Sequence, residues 1–429
     1  MNLSVAAEPC PPTPLGVPML CQMAFDGLDL APVWNHLTER VAADPSDAAA
    51  LLDLSTIAQM QGRLQERIAF QTAALKLHRI YRQPAALMTK RPLRVLTLMA
   101  PGSAMASSNF MTNTPLEFML ENSNIVLNML YVVPGAPLPE LPQHDVAFVA
   151  ADETPENQPV LREIGGIVRS WPCPVLNAPE RIARLTREGT WELLQSSPHL
   201  VIPKSARINR AQLASIVRGE VAIESILCGH DFPIIMRPTW SHYGRGLMKL
   251  ENVSAIDAYL REWLDTEFYI APFVDYRSQD KLYRKYRIAL IGGRPFACHM
   301  AISQHWMIHY ANADMNNDAA KRVEEASFMA DFDNDFAVRH AAAFKTIAER
   351  SGLDYLQIDC GETQDKTLLV FEVGTGMIVH AMDPPDLFPY KRPQMKKVFE
   401  AFQRMLKNAA DRMATRHFAP ELEEAGSTV

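Results

Sequence analysis

Apolar residues recur at helical spacing in the first fifth of the chain and at strand spacing beyond it, and the change of period divides the sequence into segments. Residues 1–27 are rich in proline and carry little periodicity, so they read as an irregular arm. From residue 28 to about 90 the stripes Val33, Leu37, Val41 and Leu51, Leu54, Ala58 predict two helices separated by the break Asp44-Pro45-Ser46-Asp47. Gly62 ends the second, and Leu64, Ile68, Ala73 and Leu77 mark a third running to about Tyr81. The tract AQMQGRLQERIAFQTAALKL resembles the middle of a tetratricopeptide repeat, with Ala69 and Ala73 as the small packing residues. One copy cannot bury its own face, so this unit is either a helical cap or a surface for a peptide or protein partner.

Over residues 91–200 the pattern becomes strand-helix alternation. RVLTLMAP, VLNMLYVV, DVAFVA and PVLNAP read as short strands, and TPLEFMLENS, with Thr114 capping and Pro115 first in the helix, and NQPVLREIGGIV read as helices. Such alternation predicts an α/β fold with a parallel sheet. A second α/β unit, α+β towards its carboxyl end, spans residues 201–416, and residues 417–429 read as a frayed tail.

Composition narrows the classes of function. The chain has 429 residues, 48% hydrophobic and 21% charged, enough for a sizeable core in two or three packed units. A net charge of -7 without a basic tract argues against a nucleic-acid partner. The absence of a long apolar run argues against a membrane, and with no targeting signal the expected location is cytoplasmic. Six scattered cysteines without CxxC spacing are expected to be reduced.

Three places carry chemistry. PIIMRP delivers Arg237 into TWSHYGRGLMKL, where Gly244 and Gly246 allow backbone N–H groups close to phosphate oxygens; a harmless turn is the alternative. RKYRIALIGGRP is a strand, a Gly-Gly turn and a returning strand, with Arg284, Lys285 and Arg287 at its start: an anion clamp, or an edge strand protected by charge. LDYLQIDCGE and LLVFEVGTGM each place one carboxylate, Asp359 or Glu372, inside an apolar strand. Such a charge is costly unless it is paired or holds a cation, so the two either bind Mg²⁺ or make a buried Asp/Arg ion pair.

In this order the pieces resemble the ATP-grasp superfamily, in particular RimK-type glutamate ligases and glutathione synthetases, over residues 94–407. The resemblance implies an ATP-grasp fold behind a Rossmann-like pre-ATP-grasp domain, with ATP and Mg²⁺ as cofactors. It implies Lys204 and Arg237 as nucleotide contacts, Ser241, Gly244, Arg245 and Gly246 in the loop over the phosphates, and Ala271, Phe273 and Val274 as the adenine hinge. Asp280 becomes a ribose partner, Arg237, Arg245 and Arg287 the cations facing the transferred phosphate, and Asp359 and Glu372 the metal ligands. Two departures stand out. Gly374 replaces the usual Asn two residues after the metal Glu, leaving water, Thr375 or His380 to substitute, and Pro272 replaces an acidic hinge residue.

The implied activity is carboxylate-amine ligation through an acyl-phosphate, on a small-molecule, amino-acid or peptide substrate. Its rivals are a kinase and a nucleotide-binding regulatory protein that has lost turnover. CHMAISQHWMIHY, with His299, Ser303, Trp306 and His309, and the later His380 are candidate substrate contacts beside Arg284 and Lys285, with an aromatic cap as the alternative for the first cluster. Homo-oligomerisation is left open.

Overall fold

The computed structural model describes residues 11–87, 89–102, 112–239, 241 and 244–418. It contains two compact units, Met1–Glu180 with Gly376–Met382 and Phe399–Val429, and Arg181–Thr375 with Asp383–Val398. The helical segment and the first α/β segment therefore share one unit, and the second unit begins some twenty residues before the expected boundary at 201.

In the first unit, helices Ala31–Ala43, Ala48–Met60 and Leu64–Leu77 occupy the three predicted stretches. The Asp47 carboxylate accepts the Ala50 N–H at 3.0 Å, capping the middle helix, and Gly62 at φ 71° supplies the left-handed turn that ends it. Leu20, Leu37, Ala50, Leu54 and Ile57 form the core there. Three expectations need correction. The proline-rich arm contains a helix, Val17–Phe25, started by Pro18 in its first turn and held by Leu20 in that core. Ala74 is buried while Ala69 is exposed, so the third helix packs through a neighbouring stripe. Ile80 and Tyr81 lie in a strand.

That strand, β1 (Ile80–Gln83), pairs antiparallel with β3 (Ile125–Tyr131) at one edge. The predicted strands are β2 (Leu93–Met99), β3, β4 (Val146–Val149) and β5 (Val175–Leu176), all parallel, in the order β1-β3-β2-β4-β5. Near-continuous burial of β2 and β4 is what a sheet covered on both faces requires. The helix after β2 is one turn, Leu116–Met119, with Pro115 at its cap; Thr114 does not cap it.

The second unit holds two sheets. β7 (Ala206–Asn209), β8 (Ile234–Pro238), β9 (Met248–Leu250) and β10 (Glu267–Pro272) form one, in the order β7-β10-β8-β9; the parallel-paired β6 (Leu200–Val201) belongs to the other. Leu213, Ile216, Ile256 and Tyr259 of helices Arg210–Val217 and Val253–Glu262 pack on Ile234, Met236, Phe268 and Ile270 to close the first sheet's core. The other sheet runs β12-β11-β13-β14-β6, from β11 (Tyr283–Ile291), β12 (Arg294–Ser303), β13 (Tyr355–Glu362) and β14 (Leu368–Gly374). Gly292 and Gly293, both at positive φ, make the predicted hairpin turn between β11 and β12. Helix Ala319–Asp331 covers one face, where Tyr286 meets Phe328 at 4.9 Å.

Candidate active site

The opposite face of that sheet carries charge. Arg287 stands directly across from His299 on one side and Asp359 on the other, and Asp359 stands across from Glu372. Cross-strand partners share a face, so His299, Arg287, Asp359 and Glu372 form one polar row across four strands. Lys285, two residues before Arg287, joins the same face, whereas Arg284 points the other way to Asp280, at 2.6 Å, and to Glu324 on the covering helix. Strand alternation thus splits the expected three-cation clamp. It also takes Asp280, held by Arg284 and by the Leu282 N–H at 3.0 Å, away from any role beside the row.

Asp359 is 3% exposed. Arg287 donates to it through Nε at 2.8 Å and Nη2 at 3.0 Å, and Lys285 Nζ lies 2.7 Å away. Burial works to raise its pKa, and the Arg287 and Lys285 charges overcome that and hold it well below the usual carboxylate range. Both oxygens are therefore engaged, and the ion pair set out as the alternative for Asp359 is present. Glu372 differs. Its side chain is 49% exposed and makes one ion pair, with Arg187 at 3.4 Å. Surrounding protein raises its pKa and Arg187, with help from Arg237 and Lys285, lowers it; the net shift is downward.

Arg187 opens the helix Arg187–Leu194 behind an N-cap at Thr186, and sequence reasoning missed it. Arg237, partly buried at the end of β8, donates from Nε to Ser241 Oγ at 3.1 Å. Desolvation, then the like charge of Arg187, pushes its guanidinium down to about 10. Among the described residues four cations, Arg187, Arg237, Lys285 and Arg287, thus surround two carboxylates, and such an excess of positive charge favours a multiply charged anion.

Gly244 and Gly246 sit at φ 71° and 67°. A Cβ at Gly244 would lie 2.6 Å from His309 Nε2, and one at Gly246 would lie 2.7 Å from Pro238 Cδ, so both positions exclude side chains. The loop's Ser241 is buried, its hydroxyl donating to the Pro238 carbonyl at 2.8 Å. Arg245 is exposed, its guanidinium 5.6 Å from the Trp263 ring.

After β10, Phe273 meets Trp306 edge-on at 5.6 Å, and Lys249 Nζ sits 4.3 Å from the Phe273 ring. Ala271 is buried in β10 and Val274 packs with Tyr276 and Tyr283. Lys204 lies 5.2 Å from the Trp191 ring, on the helix that carries Arg187. Ser303 is buried and accepts the His305 N–H at 3.0 Å. The His299 ring lies 4.9 Å from Tyr310, and burial, with the Arg287 and Lys391 charges, pushes it far down. His380 belongs to the first unit, where its ring lies 6.0 Å from Phe25 and 6.4 Å from Phe118.

Among the described residues no group of three or more His, Cys, Asp or Glu could hold a metal ion. Mg²⁺ in a nucleotide site takes one or two carboxylates and completes its shell with phosphate and water. The half-exposed Glu372 beside Asp359 fits that need.

No family model and no curated protein matches the chain. Among solved structures it is similar to a D-Ala:D-Ser ligase, VanG, from Enterococcus faecalis, at 13% identity and TM-score 0.42, over 73% of this chain and 99% of that one. It is similar also to a D-alanine–D-alanine ligase from Bacillus anthracis complexed with ATP, at 13% identity and TM-score 0.41, over 76% and 99%. A RimK domain ATP-grasp protein from Sphaerobacter thermophilus is similar at 16% identity and TM-score 0.40, over 72% and 98%.

Proposed function

We propose that this chain is an ATP-dependent carboxylate-amine ligase of ATP-grasp type. The observation that carries the reading is the row Arg287-Asp359-Glu372 on one sheet face, with Lys285, Arg187 and Arg237 around it and a glycine loop whose two glycines admit no side chain. Arg237, Lys285 and Arg287 neutralise the triphosphate and the charge that spreads over the phosphoryl group in transfer. Glu372 and Asp359 are the residues that would hold Mg²⁺, and the ion would supply Lewis-acid neutralisation of phosphate charge there. A substrate carboxylate oxygen bonds to the γ-phosphorus as the bond to ADP breaks. An amine then attacks the acyl carbon, phosphate leaves, and the amine gives up a proton. The loop of Gly244 and Gly246 excludes water between the two steps. Phe273 and Trp306 supply an apolar wall for adenine after β10.

The full engagement of Asp359 favours a second reading, a nucleotide-binding regulatory protein without turnover. Calorimetry with MgATP followed by ADP release across a panel of amino acids and peptides separates the two. Amine-dependent ADP release supports the ligase, binding without release supports the regulator, and no ATP binding removes both. Glu372→Gln is expected to lower ADP release by roughly 100-fold or more. As its partner is a half-exposed ion pair, its stability should change by less than about 1 kcal/mol.

A further inference from the structure

His299 closes one end of the polar row. It stands directly across from Arg287, so the two Cα atoms are about 5 Å apart and both side chains leave the same face of the sheet. The ring is held from outside the row. It lies 4.9 Å from the Tyr310 ring, whose hydroxyl donates to Glu325 at 3.0 Å, and Lys391 Nζ sits 4.0 Å from that same tyrosine ring. Glu325 also accepts the N–H of Met300, the next residue of β12, at 3.0 Å. The backbone beside His299 and the wall against its ring are thus tied to one buried carboxylate. Among the described residues the imidazole itself makes no hydrogen bond, and His299 is partly open to solvent.

The rest of this face offers little to an incoming amine. Arg187, Arg237, Lys285 and Arg287 can only donate hydrogen bonds. Both oxygens of Asp359 are taken by Arg287 and Lys285, and Glu372 stands two strands beyond Arg287, at the end assigned to Mg²⁺. The same four cations repel an ammonium group, so a nucleophilic amine arrives neutral and needs an acceptor for one of its N–H bonds. A neutral imidazole keeps one nitrogen with a free lone pair in either tautomer. Burial, then the Arg287 and Lys391 charges, disfavours the protonated ring and so preserves that lone pair.

We propose that His299 accepts a hydrogen bond from the attacking amine and so turns the amine's own lone pair toward the acyl carbon beside Arg287. This rests on the ligase reading and adds to it the place on the sheet where the second substrate is received. In the step itself the C–N bond forms, the bond from the acyl carbon to the phosphate oxygen breaks, and that oxygen leaves with the electron pair. One amine proton ends on the departing phosphate, giving hydrogen phosphate; His299 orients the N–H and does not keep the proton.

The test uses the full chain with ATP and Mg²⁺, a panel of amino acids and peptides offered singly as the acid, and hydroxylamine as the amine, with hydroxamate and ADP both measured. His299→Leu, which keeps bulk and removes the acceptor, is expected to raise the KM for hydroxylamine about tenfold and to raise the ADP released per hydroxamate formed, while the calorimetric affinity for MgATP stays the same. His299→Gln, whose amide oxygen accepts, is expected to bring that KM back to within about threefold of wild type. A Leu variant with wild-type KM and ratio overturns this inference and leaves the ligase reading standing. MgATP binding that weakens in step with product loss, or failure of Gln to rescue, assigns His299 a packing role and overturns it as well. A wild type that binds MgATP and yields no hydroxamate with any acid removes the ligase reading, and the inference with it. Should the Leu variant not fold, ¹⁵N-histidine spectra of the wild type decide: with a non-hydrolysable MgATP analogue bound, the His299 ring resonances should move when hydroxylamine is added, and no movement refutes the assignment.

Discussion

Replacing Asp359 with Asn keeps the shape of the side chain and removes the charge that two cations share. Arg287 and Lys285 are each about four-fifths buried, with side chains 20% and 17% exposed, and their nearest carboxylate is Asp359 at 2.8 and 2.7 Å. Breaking a buried pair by removing one partner costs about 3–5 kcal/mol, because the charges left behind keep their desolvation penalty. For a compact unit of this size that corresponds to a fall in Tm of roughly 6–20 °C. Thermal unfolding followed by far-UV circular dichroism at pH 7, with urea titration alongside, measures it. The sign with pH follows from the lowered folded pKa: the stabilisation is complete above about pH 4 and fades as pH drops towards the folded value, so the variant should lack that acid limb. Pyrophosphate, which gives the two cations a new partner, should raise the Tm of the variant more than that of the wild type. A loss below about 1 kcal/mol, the range of an exposed pair, would refute the reasoning, since it would mean that water reaches the row freely.

Two further perturbations address other parts of the molecule. Lys391 is 4% exposed and lies 3.0 Å from Asp383 and 3.5 Å from the fully buried Glu325, so Lys391→Met should cost about 3–5 kcal/mol at pH 7 in chemical denaturation. Asp53 accepts the Leu15 and Gly16 N–H groups at 2.7 and 3.1 Å, and burial pushes its pKa up to about 6. Its protonated form therefore stabilises the fold below pH 4, a benefit lost as pH rises through 6; Asp53→Asn should flatten unfolding free energy over that window, and an unchanged slope would show Asp53 to be solvated.

Much of this architecture is legible in the chain because its signals are local. Asp47 caps, Gly62 stops, Gly292-Gly293 turns, and apolar runs such as VLTLM make buried strands, each where its own chemistry puts it. The strand Ile80–Gln83 escaped because its pairing with Leu127–Leu130 is a contact distant in sequence, while the helical stripe before it continues in phase. At the site, alternation correctly grouped Lys285 with Arg287 only once it was applied; counting three cations as one clamp ignored the pleat that sends Arg284 to Glu324. Arg187 was invisible for another reason. Nothing about a cation at the start of a short helix says which strand, nearly two hundred residues later, will face it.

The ladder slips by one place beside each end of the charged row. Between β11 and β12 the spare residue is Cys298, just before His299, and between β13 and β14 it is Phe371, just before Glu372. Because a spare residue has no partner, losing it would restore an even ladder and leave every paired side chain on its present side. Loss of a residue beside the spare one is absorbed when the spare residue takes its place, whereas loss of one farther along would turn the intervening stretch over. Tolerance of single-residue deletion in these two strands is thus centred on two places.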